Sequence, residues 1–272
     1  MSLSELMLSA WLVMASVMLA LWFIQTRTLN AGTVDVAWAF GSGAVGIWFA
    51  LASLGESDAR QWLVAAMAGF WGMRLGVFLF KRVMSETEDG RYRYLREYLG
   101  NKAQPFHFAF FQMQATWTLL FALPMWVAAT APGEGLAWTD YLGLAIYVAA
   151  MLGERAADTQ LAAFRADPAS KGKVCDLGLW RYSRHPNYFF EWLHWFAYVA
   201  IGATSPYWWV ALTGSVVVYV FVVYITGVPY TEQQSIRTRG DAYRTYQRTT
   251  SMFFPWPPKS APANEAEEPR LQ

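Results

Sequence analysis

Residues 6–24 read LMLSAWLVMASVMLALWFI, an apolar run that no charged residue interrupts. A helix needs about 20 mainly apolar residues to cross a bilayer, because lipid offers its backbone N–H and C=O groups no partners. This run exceeds the apolar core of a signal peptide and has no basic residue before it, so it is expected to persist as a span. Six more stretches approach the same pattern, at 35–54, 62–80, 108–128, 138–154, 189–204 and 207–227. The sequence therefore predicts an all-α, polytopic integral membrane protein with about seven transmembrane helices. Residues 1–258 are expected to form a single membrane domain with cytoplasmic C-terminal loops.

Composition excludes the soluble alternative. The 272 residues are 55% hydrophobic and only 15% charged, against about 25% charged in an ordinary soluble domain. The 15 tryptophans and 14 tyrosines suit the lipid headgroup depth. A single cysteine, Cys175, leaves no internal disulfide, and with only His107, His185 and His194 beside it no metal site is expected. A net charge of +1 argues against nucleic acid as a partner; membrane lipids and a hydrophobic small molecule are expected instead.

Basic residues orient the spans, since short cytoplasmic loops collect Lys and Arg. They cluster at Lys81, Arg82, Arg91, Arg93, Arg96 and Lys102; at Arg155, Arg165, Lys171, Lys173, Arg181 and Arg184; and at Arg237, Arg239, Arg244 and Arg248. The other side carries only Arg60. Seven spans then place the N-terminus outside and the C-terminus in the cytoplasm. Residues 259–272, rich in proline and glutamate, are expected to be a disordered tail.

Gly41, Gly43 and Gly46 in GSGAVG satisfy the dinucleotide fingerprint GxGxxG. That motif works only between a strand and a helix. Here it sits inside an apolar helix, so the glycines, with Gly72 and Gly76, are expected to permit close helix packing.

Ionisable groups at membrane depth persist where they pair or face a functional cavity. Asp35 opens the second span, Arg74 lies in the third and Glu191 in the sixth. In GERAADTQLAAFR, Glu154, Asp158 and Arg165 fall near one helical face, able to meet ribose hydroxyls, an amide or a phosphate, or to form an ordinary solvated face. In KGKVCDLGLWRYSRHPNYFFEW, Lys171, Lys173, Arg181 and Arg184 are joined by Tyr182, His185, Asn187, Tyr188 and Glu191 at the membrane edge. Guanidinium and ammonium groups suit phosphate, and Asn187 with Glu191 can address one amide or hydroxyl. A third set, Glu232, Arg237, Arg239, Tyr243, Arg244, Tyr246 and Arg248, could close over a phosphorylated cofactor or bind headgroups.

Together GLWRYSRHPNYFFEW, ERAADTQLAAFR, GVPYTEQ and AYRTYQRTTSMFFPWPP, with TVDVAWAFG and WGMRLGVFLFKR, resemble bacterial membrane proteins of the steroid 5-alpha-reductase-like family, the DUF1295 group. The RHPNY element alone is also similar to isoprenylcysteine and phospholipid methyltransferases. The resemblance implies NADPH held by the C-terminal half and hydride transfer to the beta carbon of an activated double bond, as in a 3-oxo-delta-4 steroid. It implies cofactor contacts from Glu154, Asp158, Arg165, Lys173, Tyr182, Arg184, His185, Asn187, Tyr188, Glu191, Arg239, Tyr243 and Tyr246. It departs from the eukaryotic reductases at Glu154, where they have asparagine, and at Ala162, where they have arginine.

Enone reduction needs a donor at the carbonyl oxygen, where charge develops. Asp35 is the expected catalytic group there, with Tyr92 and Tyr94 as further candidates, and Glu191 is expected to orient the nicotinamide. A monomer in the bacterial inner membrane is expected. Two competing functions are an S-adenosylmethionine-dependent membrane methyltransferase and a transporter or structural subunit. Against the last, the polar groups gather at cytoplasmic span ends rather than near the midplane.

Overall fold

The computed structural model describes residues 1–52, 58–85 and 88–260, and all regular structure among them is helical. The expected tail therefore lies mostly outside the described residues, as does the end of the second expected span. The main helices are α1 (Leu3–Thr28), α2 (Thr33–Ala52), α3 (Ala59–Ser85), α4 (Gly90–Leu99), α5 (Ala103–Ala129), α6 (Trp138–Ala166), α7 (Pro186–Leu193), α8 (Trp195–Ile201), α9 (Trp208–Val220), α10 (Val228–Arg239) and α11 (Asp241–Thr249).

Among the described residues, four helical stretches are long and apolar enough to cross a membrane by themselves: α1, α2, α3 and the run Trp208–Arg239. The apolar part of that last run ends near Ile225, where a π-helical turn (Phe221–Ile225) and Gly227 precede the polar α10. The remaining expected spans fall on α5, α6 and the α7–α8 pair. The protein is an all-helical, polytopic membrane protein.

Two compact units emerge, one of residues Met1–Gly143 with Tyr198–Gly214, the other of Leu144–Ala197 with Ser215–Gln272. In the first unit, α1, α2 and α5 supply a core that includes Leu6, Met14, Met18, Phe49, Phe111 and Leu119. α2 and α3 cross with almost no gap. A Cβ on Gly43 would lie 2.8 Å from the Gly72 Cα and 3.0 Å from the Ala68 carbonyl oxygen. Gly46 faces Ala68 and Met125, and Gly76 faces the Phe40 ring. The GxGxxG run thus serves helix packing, as its apolar setting implied.

Arg60 is buried with Asp140. Its Nε donates to Oδ1 at 2.8 Å and one terminal nitrogen to Oδ2 at 3.0 Å. The carbonyls of Ala131 and Gly135 accept two more of its hydrogen bonds, and the Ala137 N–H donates to Asp140 Oδ2. This network ties α3 to the first turn of α6.

Candidate functional site

Among the described residues, each unit carries polar groups that could form a site. In the first, Asp35 stands in the first turn of α2. The Tyr92 hydroxyl donates to its Oδ1 at 2.8 Å, and the Arg91 guanidinium donates to Oδ2 at 3.1 Å. α4 positions both donors. Its N-cap, Asp89, accepts from the Arg91 backbone N–H at 2.9 Å and from the Arg91 and Arg82 side chains at 3.0 and 2.9 Å. Burial alone would raise the Asp89 carboxyl, but the hydrogen bonds from Arg91 outweigh it and hold it below the ordinary value. Burial pushes the Tyr92 hydroxyl well upward and the neighbouring Asp35 charge adds to this, so the phenol keeps its proton and remains a donor. A cleft lined by Asn30, Gly32, Asp35, Leu79, Arg82 and Asp89 opens at this cluster. Tyr94, the other tyrosine considered for this role, is exposed and stacks on Tyr98.

In the second unit, Asp158 on α6 accepts from the Asn187 amide nitrogen at 3.1 Å. The Asn187 amide oxygen accepts from the Tyr188 backbone N–H, which fixes the amide's orientation at the start of α7. Pro186 opens that helix, where a missing N–H costs nothing. The preceding turn is fastened to α6 by Leu179 N–H donating to Gln160 Oε1 at 2.9 Å and by the Trp180 indole donating to the Ala157 carbonyl. Glu154 is buried on α6, and Glu191 lies partly buried with its carboxylate 3.9 Å from His194 Nδ1.

Glu232 on α10 is the hub of the rest. Its carboxylate accepts from Arg184 Nε at 2.7 Å and from Gln247 Nε2 at 2.7 Å, and lies 3.3 Å from His185 Nε2 and 3.5 Å from the Tyr243 hydroxyl. Glu232 stands beyond the apolar part of its run. Burial alone would raise its carboxyl, yet the hydrogen bonds from His185 and Arg184, with the Arg184 charge and Gln247, bring it down to about 2. Burial, aided by the Glu232 charge, pushes the Tyr243 hydroxyl up to about 12. Arg184 also donates to the carbonyls of Gln247 and Thr250. The buried Tyr246 hydroxyl donates to the carbonyls of Trp180 and Ser183. Arg184, His185, Tyr243 and Tyr246 are therefore engaged in fastening α10 and α11 to the turn before α7.

The family model described as "Protein of unknown function (DUF1295)" matches residues 21–250. The chain belongs to the DUF1295 family. Over 269 aligned residues it is also 26% identical to a Schizosaccharomyces pombe protein named "Uncharacterized protein C594.04c", covering 86% of this chain and 75% of that one. Both polar clusters of the DUF1295 chain, from Asp35 to Gln247, lie inside the matched residues.

Among the residues expected to meet a cofactor, Arg165, Lys173 and Tyr182 are exposed in this DUF1295 protein, and Tyr188 stacks on His185 with ring centroids 5.4 Å apart. Arg239 donates from Nε to the Lys173 carbonyl at 2.8 Å, linking α10 to the basic loop before α7. Sequence reasoning passed over Asp89 and counted Arg91 only as a loop charge. The one available signal was their place among the basic residues that follow α3.

Proposed function

We propose that this protein is an NADPH-dependent reductase that adds hydride to the activated C=C bond of a lipid enone of the 3-oxo-delta-4 steroid type. The observation that supports the reading is the Tyr92 hydroxyl held 2.8 Å from Asp35, which itself lines a cleft: a phenol and a carboxyl are the groups that suit a carbonyl oxygen. Arg91 neutralises Asp35 and fixes its rotamer. On a bound enone, Tyr92 turns its O–H from Asp35 to the carbonyl oxygen as negative charge grows there, while Arg91 keeps its bond to the Asp35 carboxylate.

The second cluster supports the cofactor. NADPH, when bound, supplies the hydride. The Asp158–Asn187 pair offers an acceptor and an amide of fixed direction, which fit a ribose hydroxyl and a carboxamide. Exposed Arg165, Lys173 and Arg181 fit the phosphates. Arg184 is committed to Glu232 and to two carbonyls, so its role is to hold the site's frame. Glu191 would orient the nicotinamide. The reading further comprises seven spans, an external N-terminus, a cytoplasmic C-terminus, a bacterial inner-membrane setting and a monomer.

The test is NADPH oxidation by the purified protein in nanodiscs with progesterone as the enone probe. Turnover that falls by about 100-fold in Tyr92→Phe, the range for one lost oxyanion donor, with unchanged NADPH affinity, supports the assignment. Equal turnover in Tyr92→Phe removes the pair from the chemistry.

A further inference from the structure

His107 lies near the start of α5 with its ring fully buried, and neither Nδ1 nor Nε2 meets a protein hydrogen-bond partner. A neutral imidazole carries one donor and one acceptor, and burying both unbonded costs stability that a phenylalanine at the same place would recover. Neighbouring polar groups do find partners. Gln25 donates to Gln104 at 2.7 Å, and Arg96 donates to Glu88 at 2.8 Å. The His107 ring packs against Tyr92 with centroids 6.4 Å apart and planes at 77°. Tyr92 is itself buried, and its hydroxyl is given to Asp35.

We propose that His107 is a positioning residue standing behind Tyr92, whose free N–H turns to the phenol oxygen when that oxygen passes its proton to the reduced substrate. The inference rests on the reductase reading. The balance is simple: the hydride and its electron pair make the C–H bond at the beta carbon, the Tyr92 O–H bond breaks and its proton goes to the substrate oxygen. The phenolate so formed keeps the electron pair and accepts a hydrogen bond from His107, which stays neutral throughout. Solvent later returns one proton to Tyr92. Asp35 accepts from the Tyr92 hydroxyl and Arg91 donates to Asp35, while Arg96 and Glu88 are the charges that act on His107. A reserve donor accounts for a buried imidazole with no protein partner, at a cost to stability.

His107→Phe and His107→Gln, assayed in nanodiscs, test this. His107→Phe is expected to unfold at the same or a higher temperature than wild type, yet to lose about tenfold in kcat, with NADPH affinity and KM unchanged. His107→Gln, which retains a donor, is expected to restore most of the rate. A residue that only fills space predicts the reverse, normal turnover in the phenylalanine variant, and that result overturns the inference. An activity-independent readout separates it from the reductase reading. With 3-chlorotyrosine at position 92, the absorbance titration should show the phenol ionising at lower pH in the His107 protein than in His107→Phe. If wild type reduces no enone, the reductase reading falls and this titration alone decides; an equal ionisation pH in the two proteins refutes the role of His107.

Discussion

Replacing Arg60 by methionine should give a large, purely structural effect in the first unit. Arg60 and Asp140 are both buried and share two hydrogen bonds, while Arg60 also serves the Ala131 and Gly135 carbonyls. Removing the guanidinium leaves a buried carboxylate with one remaining donor among the described residues, the Ala137 N–H, and breaking such a pair from one side costs about 3–5 kcal/mol. At about 2–4 °C per kcal/mol, the unfolding temperature should fall by roughly 6–20 °C. The double variant Arg60→Met/Asp140→Leu removes both charges and should recover much of the loss, since an apolar pair can replace a buried ion pair at little cost. Recovery stays incomplete, because two carbonyls and one N–H remain without partners, each worth about 1–3 kcal/mol. Intrinsic tryptophan fluorescence during heating in nanodiscs reads all three proteins. A single variant that melts within a degree of wild type, or a double variant worse than the single, would refute the reasoning.

Gly43→Leu drives a side chain into the Gly72 backbone, so it should lower the unfolding temperature more than Gly100→Ala, where a Cβ meets nothing within 4 Å and only the positive φ resists it. Glu232→Gln weakens the bonds from Arg184 and His185 and should increase the rate of proteolysis within residues 226–250, read by mass spectrometry, while the first unit keeps its protection. The Glu232 carboxyl is lower in the folded protein than its ordinary value near 4.5, so its contribution is complete above about pH 4.5 and disappears as pH falls toward 2. Acid melting curves of wild type should accordingly show a loss across that window that Glu232→Gln lacks.

Apolar run length made the helical membrane class legible, because a bilayer leaves a long uncharged segment few alternatives. The glycines of α2 were legible for the same reason, since their apolar surroundings denied them a strand and a phosphate loop. Asp35 stood out as a charge at a span's edge, but its bond to Tyr92 joins residues 57 apart in sequence, and no periodicity links them. Arg60 looked like a lone outer charge until the fold brought Asp140 against it from 80 residues away. Arg184 read as part of a basic cluster suited to phosphate, and His185 as a hydrogen-bonding group beside it, because a guanidinium aimed at phosphate and one aimed at a carboxylate look alike in sequence. Only the packing of α10 shows that Glu232 takes them.

Titration of the purified protein with NADPH and, separately, with S-adenosylmethionine, followed by nicotinamide fluorescence and thermal shift, tests the central claim most directly. The account predicts saturable binding of NADPH, weakened up to about tenfold in Asn187→Ala by loss of a hydrogen bond to the carboxamide, and none of the methyl donor. Saturable binding of S-adenosylmethionine alone would contradict it.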